Sequence, residues 1–285
     1  MNGIVWLASY PKSGNTWMRT FLTNVLGDES EQVDINHLKT DGIFSSREIF
    51  DAATGIEASN LTNEEIDRLR PEIYNYLSNA AERTMYIKAH DAYTYLPDGR
   101  PLFGTEKARA VYVLRNPLDV AVSYANHMAK DIDTTIALMG GVSNVMCSNK
   151  GKLHLQLRQR LLSWSGHVES WTRQKEIPMK VVRFEDMKLN PTDTFDGIVR
   201  FLGFGCTQQR LQDAIEMSSF SRLKKQEQEE GFKEKPLNVA SFFRKGEVGD
   251  WRYHLSEAQK DRLIRDHGRV MRQFGYLDEN GKSIY

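Results

Sequence analysis

Residues 4–26 constrain this chain more than any other stretch. An apolar run, Ile4-Val5-Trp6-Leu7-Ala8, reads as a buried strand. It leads through Ser9-Tyr10-Pro11-Lys12-Ser13-Gly14-Asn15-Thr16 into apolar residues at 17, 18, 21, 22 and 25, which fit one face of a helix. A strand, a tight glycine-containing loop and a helix aim backbone N–H groups and a helix N-terminus at an anion. Lys12 adds a mobile positive charge, and Ser13 and Thr16 add hydroxyl donors. Pro11 stiffens the approach by fixing its own φ and restricting Tyr10. In physical terms the stretch predicts a phosphate-binding loop. It is not a Walker A loop, which carries Lys directly after the last glycine; here Lys12 precedes Gly14. Taken alone, it also fits a Ser/Gly turn with a solvated lysine.

The rest of the chain supplies a frame for such a loop. Thr84–Ala89, Ala108–Leu114 and Met179–Phe184 read as further strands, separated by segments of helical period. Thr62-Asn63-Glu64-Glu65 is a capping box that opens a helix, which Pro71 is expected to break or restart. Asn190-Pro191 starts another helix, and Ser256-Glu257-Ala258-Gln259 caps a last one ending near Gly275. Strands alternating with helices predict an α/β fold, a P-loop-like parallel sheet flanked by helices on both faces, in a single domain over 1–285. Residues 28–60 read as a long excursion with short helices, and 129–152 as a flexible segment able to cover a ligand. Leu157, Leu161, Leu162, Trp164, Val168 and Trp171 suggest one long helix, and the charged run 224–236 a solvated, mobile loop.

Composition narrows the partners. Lys+Arg and Asp+Glu are both 38, so no global charge favours nucleic acid or a membrane surface, and an anion site must come from local clustering. Two cysteines, Cys147 and Cys206, make neither a disulfide framework nor a zinc site unaided, which fits a reducing cytoplasm. No secretory leader pattern and no apolar run of transmembrane length stand out, so a soluble, cytoplasmic protein is expected.

In open parallel sheets, ligands bind beyond the carboxyl ends of the strands. Three predicted strands end there in Lys12, in Lys88 to His90, and in Arg115. A lone His after a strand is often only a hydrogen-bonded structural residue, and Arg115-Asn116-Pro117 alone could be a capping turn. Three such groups from distant segments make a stronger signal together.

The order Tyr10-Pro11-Lys12-Ser13-Gly14-Asn15-Thr16-Trp17 resembles the 5′-phosphosulfate loop of sulfotransferases that use 3′-phosphoadenosine 5′-phosphosulfate (PAPS), with Asn15 where Thr is commonest. The resemblance recurs along the chain. Lys88-Ala89-His90 is similar to the family's Lys-Thr-His segment, and Val113 to Tyr124 to its 3′-phosphate motif. Phe184-Glu185-Asp186-Met187 and Ser218-Ser219-Phe220 resemble its adenine contacts, and Phe243-Arg244-Lys245-Gly246-Glu247-Val248-Gly249-Asp250-Trp251 its C-terminal signature. The chain is thus identified as a member of the cytosolic, aryl sulfotransferase-like group, of the bacterial kind. The resemblance implies transfer of the sulfuryl group from PAPS to a hydroxyl or amine of a small-molecule acceptor, a natural product, phenol or alcohol, releasing PAP.

It also implies residue roles. Lys12, with Ser13, Gly14, Asn15 and Thr16, would hold the 5′-phosphosulfate, Lys12 neutralising the departing oxygen; Lys88 would hold the sulfuryl oxygens and His90 take the acceptor proton. Arg115, Ser123, Arg244, Lys245 and Gly246 would clamp the 3′-phosphate. Trp17, Phe184 and Phe220 would pack against the adenine, with Ser218 in the same adenine-contact segment as Phe220, and Phe243 would bind the cofactor as part of the C-terminal signature. No metal is required, and neither nucleic acid nor membrane is an expected partner. The family's C-terminal dimer motif aligns with Arg252 to Asp261, where Ser256-Glu257 replaces Thr-Val, which puts that dimer in doubt. Asp131 and Asp133 suit a cationic acceptor, or are solvated loop charges. The rival readings are a P-loop nucleotide-dependent phosphotransferase and a non-catalytic nucleotide-binding module. The missing Gly-Lys-Ser/Thr order weighs against the first, and the His90 and Lys88 pair against the second.

Overall fold

The N-terminal apolar run forms β1 (Gly3–Ser9), buried along its whole length, and the following loop enters α1 (Asn15–Leu26) at Gly14. The computed structural model describes residues 2–27, 33–148 and 154–285. Beyond α1 come α2 (Arg47–Thr54), α3 (Asn63–Ala80), β2 (Thr84–Ala89), β3 (Ala108–Leu114), α4 (Pro117–Met128) and α5 (Ile132–Gly140). Then follow β4 (Val145–Met146), β5 (Gln159–Arg160), α6 (Trp164–Arg173), β6 (Met179–Arg183), α7 (Phe184–Leu189) and α8 (Pro191–Leu202). The last elements are α9 (Gln208–Met217), α10 (Phe220–Glu230), a 3-10 turn at Asp250–Tyr253 and α11 (Glu257–Gln273).

Four strands make a parallel sheet in the order β2-β1-β3-β6, flanked by helices, as the alternation of the sequence predicts. Its register sets Leu7 opposite Lys88 and Ala8 opposite Ala89. An antiparallel ribbon of β4 and β5 was not expected from the sequence.

The chain divides into two compact units. The first takes Met1–Tyr10, Thr40–Tyr112 and Gly141–Val181. Its core is aromatic: Phe44, Tyr74 and Phe103 pack edge-on to Trp6, and Trp171 closes on Tyr93 and Phe103. The Trp6 indole donates to the Gly104 carbonyl at 3.1 Å, so its polar atom is satisfied inside the core. The second unit takes Pro11–Lys39, Val113–Gly140 and Val182–Tyr285. There Phe21 packs tilted against Phe195, and Ile35, Leu223, Phe232 and Phe243 form a further cluster.

Several sequence expectations are corrected. Pro71 neither breaks nor restarts a helix; α3 runs continuously across it. Ile66, Asp67, Arg70, Pro71, Ile73 and Tyr74 are all buried on that helix, and burial of this face outweighs the one backbone bond that proline forfeits. The long helix through Leu157 is instead β5 followed by the shorter α6. Leu162 takes a left-handed φ of 59°, and Ser163 then caps α6 through Gly166 N–H. Within 129–152, Ile132–Gly140 form the regular helix α5 and Val145–Met146 the strand β4, while 149–152 lie outside the described residues. Asp131 accepts from Thr134 N–H at 2.7 Å at the start of α5 and Asp133 accepts from Gln259, and both residues are exposed. Phe184 begins α7 instead of ending β6. Residues 224–230 are helical, the second half of α10. That helix is missed by apolar periodicity because its buried face includes Gln226 and Glu227, held by hydrogen bonds. Of the 28–60 excursion expected from the sequence, residues 28–32 lie outside the described residues.

Candidate active site

The loop between Ser9 and α1 is shaped by two left-handed residues, Lys12 at φ 66° and Gly14 at φ 109°. Such turns point successive N–H groups into one concavity. A Cβ at Gly14 would lie 2.9 Å from the Phe184 ring, so the close approach of ring and loop also requires glycine. Gly14 is the N-cap of α1 but offers no side-chain cap, and no acid lies in the first turn. The first N–H groups of the helix therefore lack the usual side-chain acceptor. Ser13 is 1% exposed, and its Oγ has no hydrogen-bond partner among the described residues. Buried hydroxyls are ordinarily satisfied, so this one fits an anion carried by a ligand. The Lys12 ammonium lies 3.6 Å from the centre of the Phe242 ring. Thr16, also buried, accepts from Arg19, while Asn15 is the first residue of α1.

Around this loop the second unit gathers residues from four other segments. Arg115 donates to the Lys12 carbonyl at 3.3 Å and the Glu247 carbonyl at 3.0 Å, and its guanidinium lies 4.2 Å over the Phe184 ring. Its Nε is buried without a partner among the described residues, as is the Trp17 indole N–H. Trp17 meets Phe184 edge-on at 5.6 Å, and the Lys188 ammonium stands 5.8 Å from Trp17 and 5.9 Å from Phe220. Gly246, at φ 63°, lies so close to Phe220 that a Cβ would fall 2.2 Å from the ring. The loop, Arg115, Phe184, Phe220 and Gly246 are thus brought together. Phe243 meets Phe220 edge-on at 6.0 Å. Ser123 stands half-buried on α4. Ser218, fully buried, donates to its own helix at the Ile215 carbonyl.

Carboxylates that the sequence reading gave no role set these groups in place. Glu185 accepts from Asn116 N–H and from the Tyr276 hydroxyl, each at 2.9 Å, and so fixes the residue after Arg115. Burial raises its pKa, against the pull of the Asn116 N–H. Asp119 accepts from the N–H groups of Gly249 at 2.8 Å and Trp251 at 3.0 Å. Asp250 ion-pairs with both Arg244 and Lys245. Burial alone would raise the Asp250 carboxyl, but Lys245 and Arg244 hold it below its ordinary value. Glu227 accepts from Phe242 N–H at 2.6 Å, Phe243 N–H at 2.8 Å and Ser241 Oγ at 2.9 Å. Glu185, Asp119 and Asp250 sat inside recognisable segments; Glu227 carried no signal beyond charge.

The first unit holds Lys88 and His90 on and just beyond β2. The Lys88 backbone is fixed on both sides, donating to the Gly42 carbonyl at 3.0 Å and accepting from Phe44 N–H at 2.7 Å. His90 Nδ1 is 2.8 Å from the Ser9 carbonyl. A carbonyl can only accept, so Nδ1 carries a proton, and in the neutral form of the ring the lone pair lies on Nε2. That is the tautomer a general base needs. Next to it, Asp91 is fully buried with Arg70, at 3.3 Å, and Arg70 and Arg158 also reach Asp67. Burial pushes the Asp91 carboxyl up, and Arg70 opposes this.

Among the described residues no group of His, Cys, Asp and Glu is placed to hold a metal ion, and no helix is long and apolar enough to cross a membrane.

The parallel sheet flanked by helices, with a helix start that has no side-chain cap, defines a P-loop-like α/β fold. Residues 3–275 match the family model of the sulfotransferase domain, and the chain belongs to that family; sulfuryl transfer is its reaction class. It is 28% identical to sulfotransferase 1B1 of Canis lupus familiaris over 90% of this chain and 79% of that protein. Among solved structures it resembles a retinol dehydratase in complex with androsterone and PAP, with a TM-score of 0.64 and 18% identity over 97% of this chain and 83% of the other. It also resembles a mouse sulfotransferase, SULT7A1, complexed with PAP, with a TM-score of 0.58 and 19% identity over 99% of this chain and 87% of the other.

Proposed function

We propose that this chain, acting as one domain over residues 1–285, moves the sulfuryl group of PAPS to a hydroxyl or amine of a small natural product, phenol or alcohol, releasing PAP. The observation that carries the reading is the start of α1: left-handed Lys12 and Gly14, a helix end without a side-chain cap, and the buried, unpartnered Ser13 Oγ. PAPS supplies an activated sulfuryl group on a good leaving phosphate. The residues supply position and charge. Ser13, Gly14, Asn15 and Thr16 bind the 5′-phosphosulfate, and Lys12 offsets the charge that develops on the bridging oxygen. Lys88 holds the sulfuryl oxygens. His90, with Nδ1–H committed to Ser9, receives the acceptor proton on Nε2. Arg115, Ser123, Arg244, Lys245 and the Gly246 backbone bind the 3′-phosphate. Trp17, Phe184 and Phe220 pack against the adenine, with Ser218 in the same adenine-contact segment as Phe220, and Phe243 binds the cofactor as part of the C-terminal signature. The cysteines Cys147 and Cys206, both thiols, suit a cytoplasmic setting.

PAP should raise the melting temperature while ATP with Mg²⁺ does not, since a ligand of the native state alone stabilises it. His90→Ala should lower kcat by about 10²-fold or more with the PAP shift intact. Stabilisation by ATP and not PAP would sink the donor assignment, and undiminished turnover in His90→Ala would remove the base.

A further inference from the structure

Within the first unit, the main chain of His90 is held by a second histidine that the reaction scheme above does not use. His167, on α6, is fully buried, with Nε2 3.0 Å from the His90 carbonyl and Nδ1 2.8 Å from the Tyr112 hydroxyl. The carbonyl must receive a proton, so Nε2 carries it, which leaves Nδ1 to accept from Tyr112. The roles are forced, and only a side chain with a donor and an acceptor on opposite edges can fill them. The Tyr10 ring meets His167 edge-on at 5.4 Å and the Tyr112 ring stacks on it at 5.7 Å, so the imidazole is fixed in plane as well. Burial pushes its pKa down to about 4, which keeps the ring neutral and both bonds intact at ordinary pH.

The same helix fastens the next residues. The Trp171 indole donates to the Asp91 carbonyl at 3.0 Å, and Ser170 Oγ accepts from Tyr93 N–H at 2.9 Å. On the other side, His90 Nδ1–H is tied to Ser9 at the end of β1. The base is therefore fixed at its ring by a strand and at its carbonyl by a helix. An apolar residue would fill the space at position 167 with less desolvation cost, but would leave a buried carbonyl and a buried hydroxyl unpaired.

We propose that His167 is a positioning residue for the reaction: with Tyr112 it fixes the His90 backbone and so the direction of the His90 lone pair. This rests on His90 being the base. Small displacements of a reacting group, of about 1 Å, cost on the order of 10²-fold in rate. His167→Phe should lower kcat by about tenfold or more, leaving the acceptor KM and the melting shift with PAP near wild type. His167→Gln, whose amide can donate to His90 and accept from Tyr112, should restore most of the loss. If His167→Phe does not fold, Tyr112→Phe tests the same link with a milder change and should show the same kcat-only loss.

A double-mutant cycle separates this from general packing. In a His90→Ala background, His167→Phe should cost nothing further. Losses that simply multiply, an unchanged kcat in His167→Phe, or a parallel fall in kcat and PAP binding in both the Phe and Gln variants would each overturn the inference. Full activity in His90→Ala alone would instead overturn the base assignment on which it rests.

Discussion

At the residue scale, Arg115 and Arg244 are not equivalent, although the sequence offers both as 3′-phosphate ligands. Arg115 holds the Lys12 and Glu247 carbonyls, so it supports the loop between β1 and α1. Arg244 instead pairs with Asp250 and lies 3.5 Å from His254. Arg244→Ala should therefore cost about tenfold to a hundredfold in kcat/KM for PAPS, the scale of one charge-assisted hydrogen bond, and little for adenosine 5′-phosphosulfate. Arg115→Ala should lower activity with both donors. Steady-state kinetics with the two donors decide the matter; equal losses with both in Arg244→Ala would remove it from the 3′-phosphate. The types and order of these residues were legible in the sequence. The difference between them was not, because it depends on which carbonyls each guanidinium meets.

At the scale of elements, α10 shows how a polar sequence can still be a structural helix. Glu227 receives two backbone N–H groups and one hydroxyl from residues 241–243, directly before the Arg244-Lys245-Gly246 segment. Glu227→Ala would leave buried donors unpaired, at about 1–3 kcal/mol each. The melting temperature should fall, and affinity for PAP should drop about tenfold as the following segment loosens. Calorimetry with PAP and thermal unfolding read the two effects separately, and unchanged PAP affinity would show that Glu227 serves the fold alone. A solvated loop was the natural reading of 224–236, since periodicity detects helices by apolar faces. The same limit produced the long helix expected from Leu157: Leu157 and Leu161 are buried as the sequence suggests, but on a non-helical stretch beside β5.

At the scale of the whole molecule, each unit buries a histidine that must stay neutral, His167 in the first and His267 in the second. Burial lowers each pKa to about 4 from an ordinary value of 6.5. Between those values the unfolded chain binds the extra proton, so stability is full above pH 6.5 and is lost as pH falls toward 4. The raised carboxyls Asp91 and Glu185 act in the opposite direction, so the test is a difference. Denaturant unfolding of wild type and His267→Gln should show the wild-type advantage shrinking by about 3 kcal/mol from pH 7 to pH 4. A constant difference would mean that His267 takes up its proton as readily in the folded chain as in the unfolded one. The sequence by itself determined the strands β1, β2 and β3, the capping of α3 and α11, and the strand–loop–helix order around Lys12 to Thr16, because these rest on local pattern and residue type. Tertiary structure alone decided that α3 crosses Pro71, that α10 is a helix, and that His167 meets His90 77 residues away, because each depends on what distant segments bury and which polar atoms they must satisfy.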